Sequence, residues 1–181
     1  MILRRCVYVF LLTILLSTSS ISCTSAQSEL LSLASFAEND VDVSIYLEQD
    51  SAGKTILSAR FTPPDGYHLY SMAIPRTGVD GLGRPTLLEL TESSLVTATG
   101  TLMESVSAEA PDFGPKELLV YPAGAVTLRL PVELPPGDGW IEDEIQVTYM
   151  ACSASQCKPP VVNKRVLLPI PGAGVLMENE Q

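Results

Sequence analysis

Cys152 and Cys157 are the residues with chemistry to offer. Ser153-Ala154-Ser155-Gln156 separates them, and Lys158-Pro159-Pro160 follows. An alternating apolar run of Ile145, Val147 and Tyr149 leads in, which predicts a strand ending in a tight turn that carries the pair. Two chemistries fit. A fixed disulfide across so short a loop stabilises by roughly 2 kcal/mol on the chain-entropy estimate. A redox pair opens and closes by thiol–disulfide exchange, which needs an accessible sulfur and an in-line approach by a partner thiolate. Spacing alone favours the staple. No helix N-terminus is expected nearby to lower a thiol pKa, and the surrounding acids tend to raise it, so a redox pair here would be a relay rather than an autonomous nucleophile.

Few other residues can assist. Lys158 is expected as a solvated surface lysine. His68 is the single histidine, and it reads equally as a half-buried strand residue or as a base beside the sulfurs. Cys152, Cys157 and His68 supply at most three ligands, short of a closed tetrahedral zinc site. A copper site built with Met150 rests on proximity alone. No Gly-x-Ser-x-Gly is present, and one histidine without an orienting partner does not support hydrolase chemistry. No metal and no cofactor are expected.

The elements that must position the pair follow from pattern and composition. The chain has 181 residues and a net charge of −10. Arg4 and Arg5, the apolar run Val7 to Leu16 and a Ser/Thr-rich stretch read as a secretory signal over 1–26, too short in its apolar part to be a good membrane span. Cleavage after Ala26 would release a soluble protein. Cleavage before Cys23, preceded by Ser20-Ile21-Ser22, would leave a lipid-modified cysteine, and that anchor is the only membrane attachment expected. Either exit places the body outside the cytoplasm, where disulfides persist. Cys6 leaves with the signal. Removing 1–26 takes away two basic residues and no acid, which leaves nine against 21 and a charge of −12. Such a surface repels phosphate backbones, so nucleic acid is excluded as a partner.

Residues 27–38 read as a lead-in with a weak helical turn, 39–170 as one domain and 171–181 as a frayed tail. Val41, Val43, Ile45 and Leu47 alternate with polar residues, as do Val126, Leu128, Leu130 and Val132, and both runs predict half-buried strands. Pro131 suggests an edge or an end. Strands are also expected near 55–62, from Tyr67, over 86–90, within 95–106, over 118–121, 144–150 and 161–170. His68 and Tyr70 share one face of their strand, and Tyr67 and Leu69 the other. Trp140 is expected in the core. Short strands with turn signals and almost no helical period predict an all-β, immunoglobulin-like antiparallel β-sandwich.

Four stretches in this order resemble the N-terminal periplasmic (alpha) domain of the thiol:disulfide interchange protein DsbD. They are Pro64-Asp65-Gly66-Tyr67-His68-Leu69-Tyr70, Gly83-Arg84-Pro85-Thr86, Tyr121 through Val132, and Val147 to Cys152 with Cys157-Lys158-Pro159-Pro160. The resemblance covers about 36–170. It implies an immunoglobulin-like domain whose cysteine pair passes reducing equivalents between thioredoxin-like periplasmic proteins, a thiol–disulfide interchange or protein-disulfide reductase activity. It implies Cys157 as the sulfur that forms the mixed disulfide and Cys152 as its resolver. It implies Phe113, in Asp112-Phe113-Gly114, as a cap over the disulfide, and His68 and Tyr70 as pocket residues. The family's membrane and thioredoxin-like domains have no counterpart in this sequence, so a stand-alone secreted domain served by a separate membrane electron transporter is expected. His68 stands where better-known members carry an aromatic residue, and the cysteine spacing is the shorter of the family's variants. The alternative is a non-catalytic binding or scaffold module in which Cys152–Cys157 is structural.

Overall fold

The computed structural model describes residues 30–112 and 114–178. The expected signal over 1–26, Cys23 within it, and Phe113 lie outside the described residues. Among the described residues, eleven strands and one short helix make an all-β sandwich of antiparallel sheets. The larger sheet orders β1 (Leu31–Glu38), β2 (Val41–Gln49), β3 (Thr55–Thr62) and β8 (Val126–Glu133). The short β6 (Thr97–Ala98) and β7 (Met103–Glu104) both pair with the far side of β8. The second sheet orders β11 (Val161–Pro171), β9 (Trp140–Tyr149) and β5 (Leu87–Leu90). A two-stranded ribbon, β4 (His68–Leu69) with β10 (Ala151–Cys152), carries the first cysteine.

Alternation builds the core between the sheets. Val41, Val43, Ile45 and Leu47 of β2 and Val126, Leu128, Leu130 and Val132 of β8 are buried. They join Leu57, Ala59 and Phe61 of β3, Leu88 of β5, Ile145, Val147 and Tyr149 of β9, and Leu168 and Ile170 of β11 in one cluster. Period-two burial on two facing sheets is what makes each strand half apolar.

Several expectations change. The lead-in is strand β1 rather than a helical turn, paired along its length with β2. A register shift between Ser32 and Ala34 reverses its parity, so Leu30, Leu31, Leu33 and Phe36 acquire a spacing that mimics a helix. Trp140 is 53% exposed. The inward positions of β9 are Asp143, Ile145, Val147 and Tyr149, and the same parity carried back puts Trp140 outside. Asp143, an acid at an inward position, accepts from Ser94 Oγ at 2.8 Å and from the backbone N–H groups of Leu95, Val96 and Glu144. It thereby ties the 91–96 turn to the second sheet.

Pro131 does not mark an edge, because β8 has partners on both sides. It sits where the outer partner breaks. Ala98 pairs with Val132 and Met103 with Arg129, while the chain between β6 and β7 passes over the proline ring. A residue without an N–H leaves a gap in the ladder there. The tail is not frayed at its start. α1 (Ala173–Glu178) is introduced by backbone bonds from Gly172, Ala173 and Gly174 to the 135–139 turn. A Cβ on Gly172 would lie 2.3 Å from the Gly137 carbonyl oxygen, so only glycine permits this approach.

Candidate functional site

The cysteine hairpin is built by its own backbone. After β9 the chain leaves the second sheet at Met150 and pairs with β4, Ala151 opposite Leu69 and Cys152 opposite His68. It then reverses through Ser153–Gln156. The Lys158 N–H donates to the Ala151 carbonyl and the Ser153 N–H to the Gln156 carbonyl, both at 2.8 Å. The Ser153 hydroxyl accepts from the Ser155 and Gln156 N–H groups at 3.3 and 3.2 Å. A serine that caps its own turn in this way fastens the bend alongside the covalent link. Cys152 and Cys157 face each other across the hairpin and are disulfide-bonded, with Cα atoms 4.0 Å apart.

The two sulfurs have different surroundings. Cys152 is 2% exposed and packs with Tyr70, Ile74 and Leu118, with Met150 and Val120 at the margin. Cys157 is exposed. Tyr70 donates its hydroxyl to Cys152 Sγ at 3.1 Å, and its burial raises its own pKa, so the group stays a donor at neutral pH. His68 stacks edge-on against Tyr70 with ring centroids 5.5 Å apart. Burial lowers the His68 pKa, so the ring is neutral at neutral pH.

The strand that brings Tyr70 to the sulfur is fixed from several directions. Tyr70 bridges to Pro85 and to Val120. Its carbonyl accepts from the Thr86 N–H at 3.1 Å and the Thr86 hydroxyl at 2.8 Å. A Cβ on Gly83 would lie 3.0 Å from the Tyr70 ring and from a Leu118 methyl, at a positive φ of 74°. The Gly83-Arg84-Pro85-Thr86 turn therefore acts mechanically. Glycine admits the ring, and proline and threonine hold its backbone.

The structure brings Cys152, Cys157, His68 and Tyr70 together. Glu109 pairs with Val120 and Leu118 lies in the Cys152 cluster, while Phe113, the expected cap, lies outside the described residues. Lys158 is a surface lysine held in an ion pair. Its ammonium lies 2.6 Å from Asp40 Oδ2 and 5.3 Å above the Tyr67 ring, and its side chain is 25% exposed. Gln156 flanks Cys157, and Asn39, Asp40 and Tyr67 contact Pro159, Lys158 and Gln156 on either side of it, contacts that no spacing in the sequence signals. Among the described residues no group of three or more His, Cys, Asp or Glu is placed to hold a metal ion.

No family model, curated protein or solved structure matches the chain. The chemistry of the site is thus read from its own atoms. When a thiolate attacks Cys157 Sγ, the electrons of the S–S bond pass to Cys152 Sγ, which leaves as a thiolate. Tyr70 is placed to donate to that charge, and hydrogen bonds to charged acceptors are the strong ones. Tyr70→Phe is expected to slow reduction by dithiothreitol about tenfold and to raise the Cys152 thiol pKa in the reduced protein. Stopped-flow reduction and a thiol titration by absorbance check both, and an unchanged rate with an unchanged titration would remove Tyr70 from the chemistry.

Proposed function

We propose that this protein is an extracytoplasmic thiol–disulfide relay that passes reducing equivalents between thioredoxin-like proteins through Cys152 and Cys157. The observation that carries the reading is the asymmetry of the pair: Cys157 is an exposed residue, and Cys152 is buried with its sulfur under a hydroxyl donor. A relay needs that division. In the dithiol form the Cys157 thiolate attacks one sulfur of a partner disulfide, makes the Cys157–partner bond and releases the first partner thiolate. Cys152 thiolate then attacks Cys157 Sγ, closes the intramolecular bond and releases the second partner thiolate. Two electrons leave this chain, and the two thiol protons end on the partner. The reverse sequence, with a reduced donor, refills it.

The resemblance to the DsbD N-terminal domain supports the same division of roles and an immunoglobulin-like arrangement of the sandwich. It also supports Phe113 as a shield, His68 and Tyr70 as pocket residues, and supply of electrons by a separate membrane transporter. The signal over 1–26, with its two exits at Ala26 and Cys23, supports a periplasmic site of action, soluble or lipid-anchored. The hairpin's own hydrogen bonds stand beside the disulfide, so the covalent link is not its sole fastening, which supports a bond that can open. The reduction potential tests the reading. Equilibration with glutathione or dithiothreitol is expected to give a value less negative than about −300 mV, and a more negative value, typical of structural disulfides, would make the bond a fixed one.

A further inference from the structure

We infer that the Asn39–Asp40 turn is a positioning clamp for Cys157. The turn joins β1 to β2 and lies about 118 residues away in sequence, yet it meets the cysteine hairpin at two points. Asn39 Nδ2 donates to the Pro159 carbonyl at 3.0 Å, and Asp40 Oδ2 accepts from Lys158 Nζ at 2.6 Å. Lys158 also lies over the Tyr67 ring. On the other side of Cys157, Gln156 Nε2 donates to the Tyr67 hydroxyl. The residues flanking the exposed cysteine are thus tied to groups outside the hairpin, while Cys157 itself stays open to solvent.

The turn is shaped for a clamp. Asn39 and Asp40 both have positive φ, 53° and 61°. Asn and Asp are the non-glycine residues that accept this conformation, and two such residues in succession make a hairpin turn that matches the twist of its strands. The β1–β2 ladder closes directly behind it, Glu38 opposite Val41. The clamp is anchored in the larger sheet, and β9, which leads into the hairpin, belongs to the other sheet.

Its consequence is thermodynamic. When oxidised glutathione takes two electrons and two protons from the dithiol, the equilibrium constant measures the effective concentration of one cysteine sulfur at the other. Holding Cys157 opposite Cys152 in the reduced state raises that concentration and makes the potential more negative. The clamp rests on the relay reading in that it matters only if the bond opens.

The test is the glutathione equilibrium constant of the full chain, read for wild type, Asn39→Gly/Asp40→Gly, Asp40→Asn and the control Arg165→Gln. Both glycines tolerate the left-handed turn, and Asp40→Asn keeps an acceptor while losing the charge. The double variant is expected to favour the dithiol about fivefold more, a potential about 20 mV less negative. Asp40→Asn is expected between it and wild type, with Arg165→Gln unmoved. A double variant with a lower thermal midpoint but the wild-type potential would make the turn merely structural and overturn the clamp. So would an equal shift in Arg165→Gln. A wild-type potential below about −300 mV would sink the relay alone, because the clamp is judged by the difference between variant and wild type.

Discussion

Cys152→Ala is expected to leave one thiol, Cys157, that reacts with an aromatic disulfide reagent about a hundredfold faster than the single thiol of Cys157→Ala. The reason is access. Cys152 is buried beneath Tyr70 and Leu118, whereas Cys157 stands at the surface beyond the turn. Attack on Cys152 must await a local opening, and a hundredfold retardation corresponds to an opening free energy of about 3 kcal/mol. In urea the two variants should react alike, which separates access from intrinsic nucleophilicity. The same asymmetry predicts which variant retains a partner. Cys152→Ala lacks the resolving sulfur, so its mixed disulfide with a thioredoxin-like protein whose own resolving cysteine is replaced, formed as the Cys157 thiolate displaces an aromatic thiolate from that partner's remaining, reagent-capped cysteine, should persist and run as one band without reductant. Cys157→Ala should give none. Equal rates for the two native thiols, or a stable adduct through Cys152, would reverse the roles and remove the basis of the relay.

What the sequence discloses follows the range over which its patterns act. Alternation is local, so β2, β8 and the inner half of β9 are legible from neighbouring residues, and so is the shared face of His68 and Tyr70. The cysteine turn is equally local. β1 escapes because the shift at Ser32/Ala34 breaks its period. Trp140 defeats the expectation because parity outranks residue type on a strand, and Ile145, Val147 and Tyr149 already set the inward face. The clamp on Cys157 escapes for a different reason. Asn39 meets Pro159, and Asp40 meets Lys158, only after both sheets have formed. No spacing rule along one strand reports a contact between a hairpin turn and a loop of the opposite sheet. An Asn-Asp pair just before the alternating run of β2 is nonetheless a turn signal, and it places the start of the sheet before residue 39.

Phe61→Ala is expected to cost about 3–5 kcal/mol and to lower the thermal midpoint by on the order of 10 °C, while leaving the potential of the disulfide within about 10 mV of wild type. Phe61 is fully buried in the middle layer, opposite Val43 on one neighbour and Val126 on the other. Its ring meets Tyr149 of the facing sheet edge-on, with centroids 5.5 Å apart. Truncation removes both the transfer of a large side chain from water and one member of an aromatic pair across the sandwich. Tyr149 in turn donates to the Glu38 carbonyl at 3.2 Å and lies three residues before Cys152. The core thus reaches to the root of the cysteine hairpin. The hairpin, however, is fixed separately, by β4, by its own turn and by the contacts of Tyr70. A loss of core packing should therefore weaken the oxidised and reduced forms alike, and equal losses cancel in the potential. Phe61→Leu, expected to cost about 1.5 kcal/mol, keeps the comparison open if the alanine variant does not fold. Denaturant melts of both redox forms beside the glutathione equilibrium decide the matter. A potential that moves by about 30 mV or more, a tenfold change in the equilibrium constant, would mean that the cysteine pair is strung on the core rather than set upon it.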